Sequence, residues 1–247
     1  MPIPIFGHRK AISGWSAPSP RVLWSQNGIS QISTAPHLLL ATGVQERPMP
    51  FPGWTLPGVM PDGAAQILMN AAGFLPRDAV LASSGPLPYL LAAQMIDAGA
   101  APLALLDTQT PVIQLCALPH LPRALLSAPM LLTGLGLLRK TRAAAVPRHT
   151  AAHQFHTAQS DTDTIQFSFT AKGRSHQLET PLPLTHQGAI PATHISRAAG
   201  ISQHWNQAQQ AMQPQANPWG RTNQPHISTS PGPRPHQHPG GWRPSVS

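Results

Sequence analysis

"DAVLASSGPLPYLLAAQMIDAGAAPLALLDTQ", residues 78 to 109, is the stretch from which the architecture is read. It opens on an all-apolar run, Ala79 to Ala82, and passes a small-residue turn from Ser83 to Pro86. An apolar segment of helical length follows and stops at Gly99, after which a second apolar run, Pro102 to Leu106, ends on Asp107. Strands without polar alternation are buried on both faces, so two of them flanking one helix predict a parallel βαβ unit.

A βαβ turn that cradles a pyrophosphate needs glycines, because a Cβ would keep the backbone from the phosphate oxygens. Of the three glycine positions of such a turn only Gly85 is present; Ser83 stands at the first and Pro88 at the third. Asp107 follows Gly85 by about 20 residues, the spacing at which an acidic side chain takes a ribose hydroxyl. Two readings stay open here: a nucleotide turn, or a βαβ unit whose turn no longer binds phosphate.

Upstream, "DGAAQILMNAAG" (62–73) predicts a helix with Asp62 as N-cap, Ala65, Leu68 and Met69 on the apolar stripe and Gly73 as the stop. Residues 21 to 43 predict a strand, a turn at Asn27-Gly28 and a returning strand ending in "LLLATG". Residues 44 to 61 form a Pro- and Gly-rich crossing. Downstream, a Leu-rich helix is expected near 121–142, with Leu125, Leu131, Leu135 and Leu138 near one face. "TIQFSFTAKGRSHQLETPL" (164–182) alternates Ile165, Phe167 and Phe169 with polar residues and turns at Lys172-Gly173. That pattern predicts a hairpin at the edge of the domain. From residue 223 the chain is rich in Pro, His, Gly and Ser and is expected to be disordered.

Composition narrows the function. Charged residues make up 10% of the chain, against about 25% in ordinary globular proteins. The net charge of +8 comes from only 8 acidic residues, not from clusters of base. Dispersed Lys and Arg without interleaved aromatics argue against specific nucleic-acid binding. A single cysteine, Cys116, excludes an internal disulfide framework, a CxxC redox pair and a four-cysteine cluster, and is read as a packed apolar residue. No uncharged apolar stretch of about 20 residues runs without Pro or Gly, so no membrane span is expected. With no signal-peptide pattern at residues 1–10, the cytoplasm is the expected compartment.

His149, His153 and His156 are spaced H-x3-H-x2-H. Their neighbours suit a strand, which splits them across two faces, and no acid stands near to orient a ligand, so no metal site is expected. His236 and His238 lie in the C-terminal stretch. No catalytic acid, base or nucleophile constellation is evident, and G-x-S-x-G is absent.

Four blocks in order carry a resemblance: "LLLATGVQERPMPFPGWTLPGVM" (38–60), "GPLPYLLAAQMIDAGAAPLALLDT" (85–108), "THQGAIPATHISRAAG" (185–200) and "NPWGRT" (217–222). Together they resemble the flavoprotein subunits of the opine oxidase and hydrogen cyanide synthase group, within the two-dinucleotide-binding-domain FAD/NAD(P) oxidoreductases. The resemblance implies an α/β fold, with a Rossmann-like NAD(P)-type domain inserted in a partial FAD-binding domain. It implies a remnant of the FAD-binding domain at 1–43, a Pro-rich crossover at 44–61 and the NAD(P)-like domain at 62–180. A return segment of the FAD-binding domain follows at 181–222, then the disordered tail at 223–247.

By the same resemblance Ala41, Thr42 and Gly43 line the FAD side, while Gly85, Pro86 and Asp107 belong to the second nucleotide site. FAD is the implied cofactor, NAD(P) a further candidate, and a second oxidoreductase subunit the implied partner. The implied function is oxidation of an amino-acid or opine-type substrate. The first G-x-G-x-x-G of the family and its C-terminal Gly-Asp have no counterpart here, so the expected form is truncated or inactive. The alternative is a non-enzymatic nucleotide-binding or scaffold module that relies on a partner chain.

Overall fold

The computed structural model describes residues 10–14, 19–109, 128–160 and 163–230. Cys116, Leu125 and the histidines after residue 230 lie outside them. The chain divides into a flanking unit, residues 1–45 with 189–247, and an inserted unit, residues 46–188.

The flanking unit begins with β1 (Lys10–Gly14), β2 (Arg21–Gln26) and β3 (Ile29–Thr34), an antiparallel sheet in that order. Asn27 and Gly28 both take positive φ, 52° and 79°, as a two-residue hairpin turn requires. The returning strand ends at Thr34, short of the "LLLATG" run. Leu38–Leu40 instead forms a separate strand, β4, and β5 (Val44–Glu46) leads toward the inserted unit.

In the inserted unit, β6 (Met60–Pro61) leads into α1 (Asp62–Ala72), β7 (Ala79–Ser83), α2 (Leu87–Asp97) and β8 (Ala104–Asp107). Then come α3 (Ala128–Ala143), β9 (Arg148–Thr150), β10 (His153–Gln159), β11 (Ile165–Ala171), β12 (Arg174–Thr180) and β13 (Leu182–His186). Strands β7 and β8 pair in parallel, as their apolar character requires, in a five-stranded sheet ordered β6-β13-β7-β8-β9. Every residue of β7 is buried. Ala79 and Leu81 face α1 and α2 through Ala65, Leu91, Ala92 and Met95. Val80 and Ala82 face the other way, toward Phe155, Phe167 and Phe169.

Three expectations are corrected here. The 165–182 hairpin is not at the edge: with β10 it makes a three-stranded sheet that packs on a face of the parallel sheet. The alternation of Ile165, Phe167 and Phe169 supplies one apolar face, and that face needs a broad partner. Residues 182–186, placed by the sequence in the return segment, form β13 and pair with β7 on one side and β6 on the other. Asp62 is the first helical residue and makes no side-chain cap; Pro61 holds the cap position. Gly73 does end α1, in the left-handed region at φ 64°.

The proline-rich crossing is part of the inserted unit's core. Met49 and Phe51 pack with the β10–β11 phenylalanines, and the Thr157 N–H donates to the Pro52 carbonyl at 2.9 Å. Gly53 shows why the run turns there on a glycine: a Cβ would sit 2.1 Å from the Thr157 carbonyl oxygen. The expected face of the Leu-rich helix is not a buried stripe. Leu135 is largely exposed, and α3 lies along α2 with Lys140 paired to Asp97.

The chain returns to the flanking unit as β14 (Ala189–Pro191), α4 (His194–Ala198), the hairpin β15 (Gln203–Asn206) and β16 (Ala211–Pro214), and β17 (Ile227–Thr229). Strand β14 pairs with β5, and β17 pairs in parallel with β4. Residues 227–229, expected in a disordered tail, are thus ordered by a partner strand nearly 190 positions earlier. The core here is small: Leu40, Ala199, Ile201 and Ile227 are buried, while Leu39 is 61% exposed.

Because Phe167 is fully buried between the two sheets, Phe167→Ala should cost about 3–5 kcal/mol. A urea titration followed by tryptophan fluorescence checks this; a loss below about 1 kcal/mol would refute the sheet-on-sheet core.

Candidate functional site

Two regions hold the residues singled out by the sequence. In the flanking unit, Ala41, Thr42 and Gly43 wall a cavity of about 430 Å³ together with Ser196, His204 and Asn217. The chain leaves β4 through this tripeptide, and Thr42 fixes its course by donating from Oγ1 to the Ala192 carbonyl at 2.8 Å. Gly43 is left-handed at φ 66°, and a Cβ placed on it would meet no atom within 4 Å. The wall is therefore open at Gly43. Among the described residues no Asp, Glu, Lys or Arg lines the cavity, so it offers dipoles and no full charge, His204 apart.

In the inserted unit, Gly85 and Pro86 lie between β7 and α2, at the carboxyl ends of the parallel strands. Gly85 is needed for its backbone, at φ 85°. Pro86 caps α2 and Pro88 lies in its first turn, so both positions lack an N–H. The Ser84 N–H donates to the His186 carbonyl at 3.0 Å.

Asp107 ends β8 and is buried. Its Oδ2 accepts from Arg148 at 2.7 Å and from the Tyr89 hydroxyl at 2.9 Å, and its Oδ1 accepts the Gln109 N–H at 2.9 Å. Arg148 also lies 5.3 Å from the Tyr89 ring centroid. Burial, then the hydrogen bond to Asp107, drives the Tyr89 hydroxyl pKa upward, so the phenol stays a donor.

A third cluster was not legible in the sequence. It gathers at the same carboxyl edge, from Glu46, Asp62, Ser83 and His186. Glu46 accepts the Gly63 N–H at 2.9 Å on Oε2 and bonds the His186 ring through Oε1 at 2.5 Å. It therefore caps α1 in place of Asp62, and a Cβ on Gly63 would come within 2.8 Å of Glu46 Oε2. Asp62, fully buried, accepts from the Ser83 hydroxyl at 2.6 Å, while its Oδ1 has no partner. Burial first raises its pKa, to about 7; the Ser83 bond and His186 oppose the shift, and Glu46 adds to it. The one available signal was economy: a chain with 8 acidic residues places two of them here.

The three spaced histidines do not make a centre. His149 lies on β9 against Phe169 and His176; burial, then the charges of His176 and Lys172, lower its pKa. His153 meets the Ala151 carbonyl. Among the described residues no three His, Cys, Asp or Glu side chains converge as a metal site. No described helix is long and apolar enough to cross a membrane.

Comparison with solved structures bears on the fold. The bacillithiol disulfide reductase of Bacillus cereus matches at a TM-score of 0.56 and 16% identity, over 90% of this chain and 61% of that one. The likeness is one of fold, a parallel sheet with a glycine-bearing βα turn set within a flanking unit. In sequence the chain is similar to opine oxidase and hydrogen cyanide synthase subunits. It is 44% identical over 191 residues to an opine oxidase subunit of Agrobacterium tumefaciens, covering 77% of this chain and 37% of the relative. It is 33% identical over 206 residues to the hydrogen cyanide synthase subunit HcnB of Pseudomonas aeruginosa, covering 77% and 42%. The chain thus spans less than half the length of these relatives. No family model matches it.

The raised Asp62 pKa fixes a pH dependence. Unfolded, the carboxyl titrates near 3.8; folded, near 7. Between those values the native state holds the extra proton, so stability falls as pH rises through the window and is flat above it. Asp62→Asn should remove this slope. Melting temperatures taken from about pH 4 to about pH 8 should show wild type losing ground to the variant as pH rises; parallel curves would refute the buried proton.

Proposed function

We propose that the chain is the core of an FAD/NAD(P)-type oxidoreductase subunit, working on an amino-acid or opine-type substrate together with a second subunit, in the cytoplasm. The observation that carries this is the cavity walled by Ala41, Thr42 and Gly43, in a chain 44% identical to an opine oxidase subunit. FAD, when bound, supplies the electron-accepting chemistry. The chain's own part is to bind: Gly43 leaves the wall open, Thr42 holds the tripeptide to Ala192, and Ser196 and Asn217 offer polar atoms.

The cavity gives a flavin nucleotide half of what it needs. A pyrophosphate is held by a glycine turn at a helix N-terminus and by charge-assisted hydrogen bonds. The described lining has neither an Arg nor a Lys. Three such bonds, at about 1.5–3 kcal/mol each, amount to a loss of at least about a thousandfold in affinity. The remaining contacts fall to another polypeptide segment, and the relatives, named as subunits and about twice as long, have the length to supply one.

Purified alone, the chain should be colourless yet quench flavin fluorescence saturably when FAD is added, with half-saturation in the micromolar-to-millimolar range. Gly43→Val, which fills the open wall and strains a left-handed residue, should remove the quench. A wild-type chain with no saturable response would sink the flavin reading; a yellow preparation with about one flavin per chain would sink the claim that contacts are lacking. The non-enzymatic scaffold reading draws on one feature, the internally satisfied turn of the inserted unit.

A further inference from the structure

We infer that the inserted unit has kept the shape of a dinucleotide-binding domain while its own side chains have taken over the dinucleotide's partners, so that it binds neither NAD(H) nor NADP(H). In this fold the ligand enters at the carboxyl ends of the parallel strands, the pyrophosphate meets N–H groups at the turn and helix start, and an acid at the end of the next strand takes the ribose. Each of these partners can be followed in the structure.

At the turn, Ser84 gives its N–H to the His186 carbonyl, and Ser83 gives its hydroxyl to Asp62. Pro86 and Pro88 have no N–H, which leaves at most those of Gly85 and Leu87 between residues 84 and 88. The neighbouring helix, α1, already holds an anion, because the Glu46 carboxylate takes the Gly63 N–H. A phosphate there would also lie against the Glu46 carboxylate. Like charges at such range oppose binding.

At the ribose end, Asp107 is saturated. Arg148 and Tyr89 converge on Oδ2 and the Gln109 N–H occupies Oδ1. Among the described residues Arg148 is the cation that a 2′-phosphate would seek here, but it enters from β9, where it is in register with Leu105, two residues before Asp107. Turning outward would strip a buried carboxylate of its charged partner, and an unpaired buried charge is costly. The network ties β8, β9 and α2 together. It is structural.

The test uses the full 247-residue chain with NADH and NADPH as probes, followed by nucleotide fluorescence and by thermal shift up to about 1 mM, the upper end of ordinary substrate affinities. The expected result is no saturable fluorescence change and no rise in melting temperature with either nucleotide. Asp107→Asn and Arg148→Met should lower the melting temperature while leaving the nucleotide response at zero. A saturable response to NADH or NADPH that is competed by ADP-ribose overturns the inference, whether or not Asp107→Asn alters it. The flavin reading is measured separately, through the FAD quench and its loss in Gly43→Val, so either can fail while the other stands.

Discussion

The pairing of β7 with β13 is the contact on which the rest depends. It joins residues 79–83 to residues 182–186 in register, and β13 in turn holds the two-residue strand β6. Without it β7 would be an edge strand, and Val80, Leu81 and Ala82 would lose a lateral neighbour in a sheet whose members are buried on both faces. The same pairing sets His186 beside Ser83, which lets the His186 carbonyl take the Ser84 N–H and its ring meet Glu46. One ladder of backbone hydrogen bonds thus fixes the core, the carboxyl-edge polar cluster and the closed turn.

Scarcity of acid shapes the electrostatics. Glu46, Asp62 and Asp107 are three of eight acidic residues, and all three point into the inserted unit. Each stands at a strand end or helix start; Glu46 and Asp107 there satisfy a backbone N–H and a basic side chain, and Asp62 the Ser83 hydroxyl. These three acids serve the inserted unit's own polar groups rather than its surface charge.

Much of the inserted unit was readable because its signals are local. The run from Ala79 to Ala82, the stop at Gly99 and the Lys172-Gly173 turn each depend on residues a few positions apart. What escaped was non-local. "LPLTH" (182–186) is short and contains Pro183, so nothing in it tells a central strand from a return segment; only the position of Met60 and Val80 on either side does. "IST" (227–229) sits in a Pro- and Ser-rich stretch and becomes a strand because Leu38–Leu40 is there to receive it. The candidate residues show the same limit. Gly85 was found from turn chemistry and Gly43 from the resemblance, whereas Asp107's engagement with Arg148, 41 positions on, and the meeting of Glu46 with His186 required the fold.

The strand pair β4–β17 bears on how the protein behaves as a colloid. Among the described residues two parallel strands form that sheet, and Leu39, in the middle of β4, is 61% exposed. Strands with unpaired backbone groups and apolar side chains are templates for other chains. The net charge of +8 keeps copies apart at low ionic strength. At about 0.15 M salt the screening length shrinks to roughly 8 Å, shorter than the span of the three-residue strand with its neighbours, and that protection fades. Dilute buffer of low ionic strength is therefore the solvent in which this edge stays solitary, and added salt is what brings copies together.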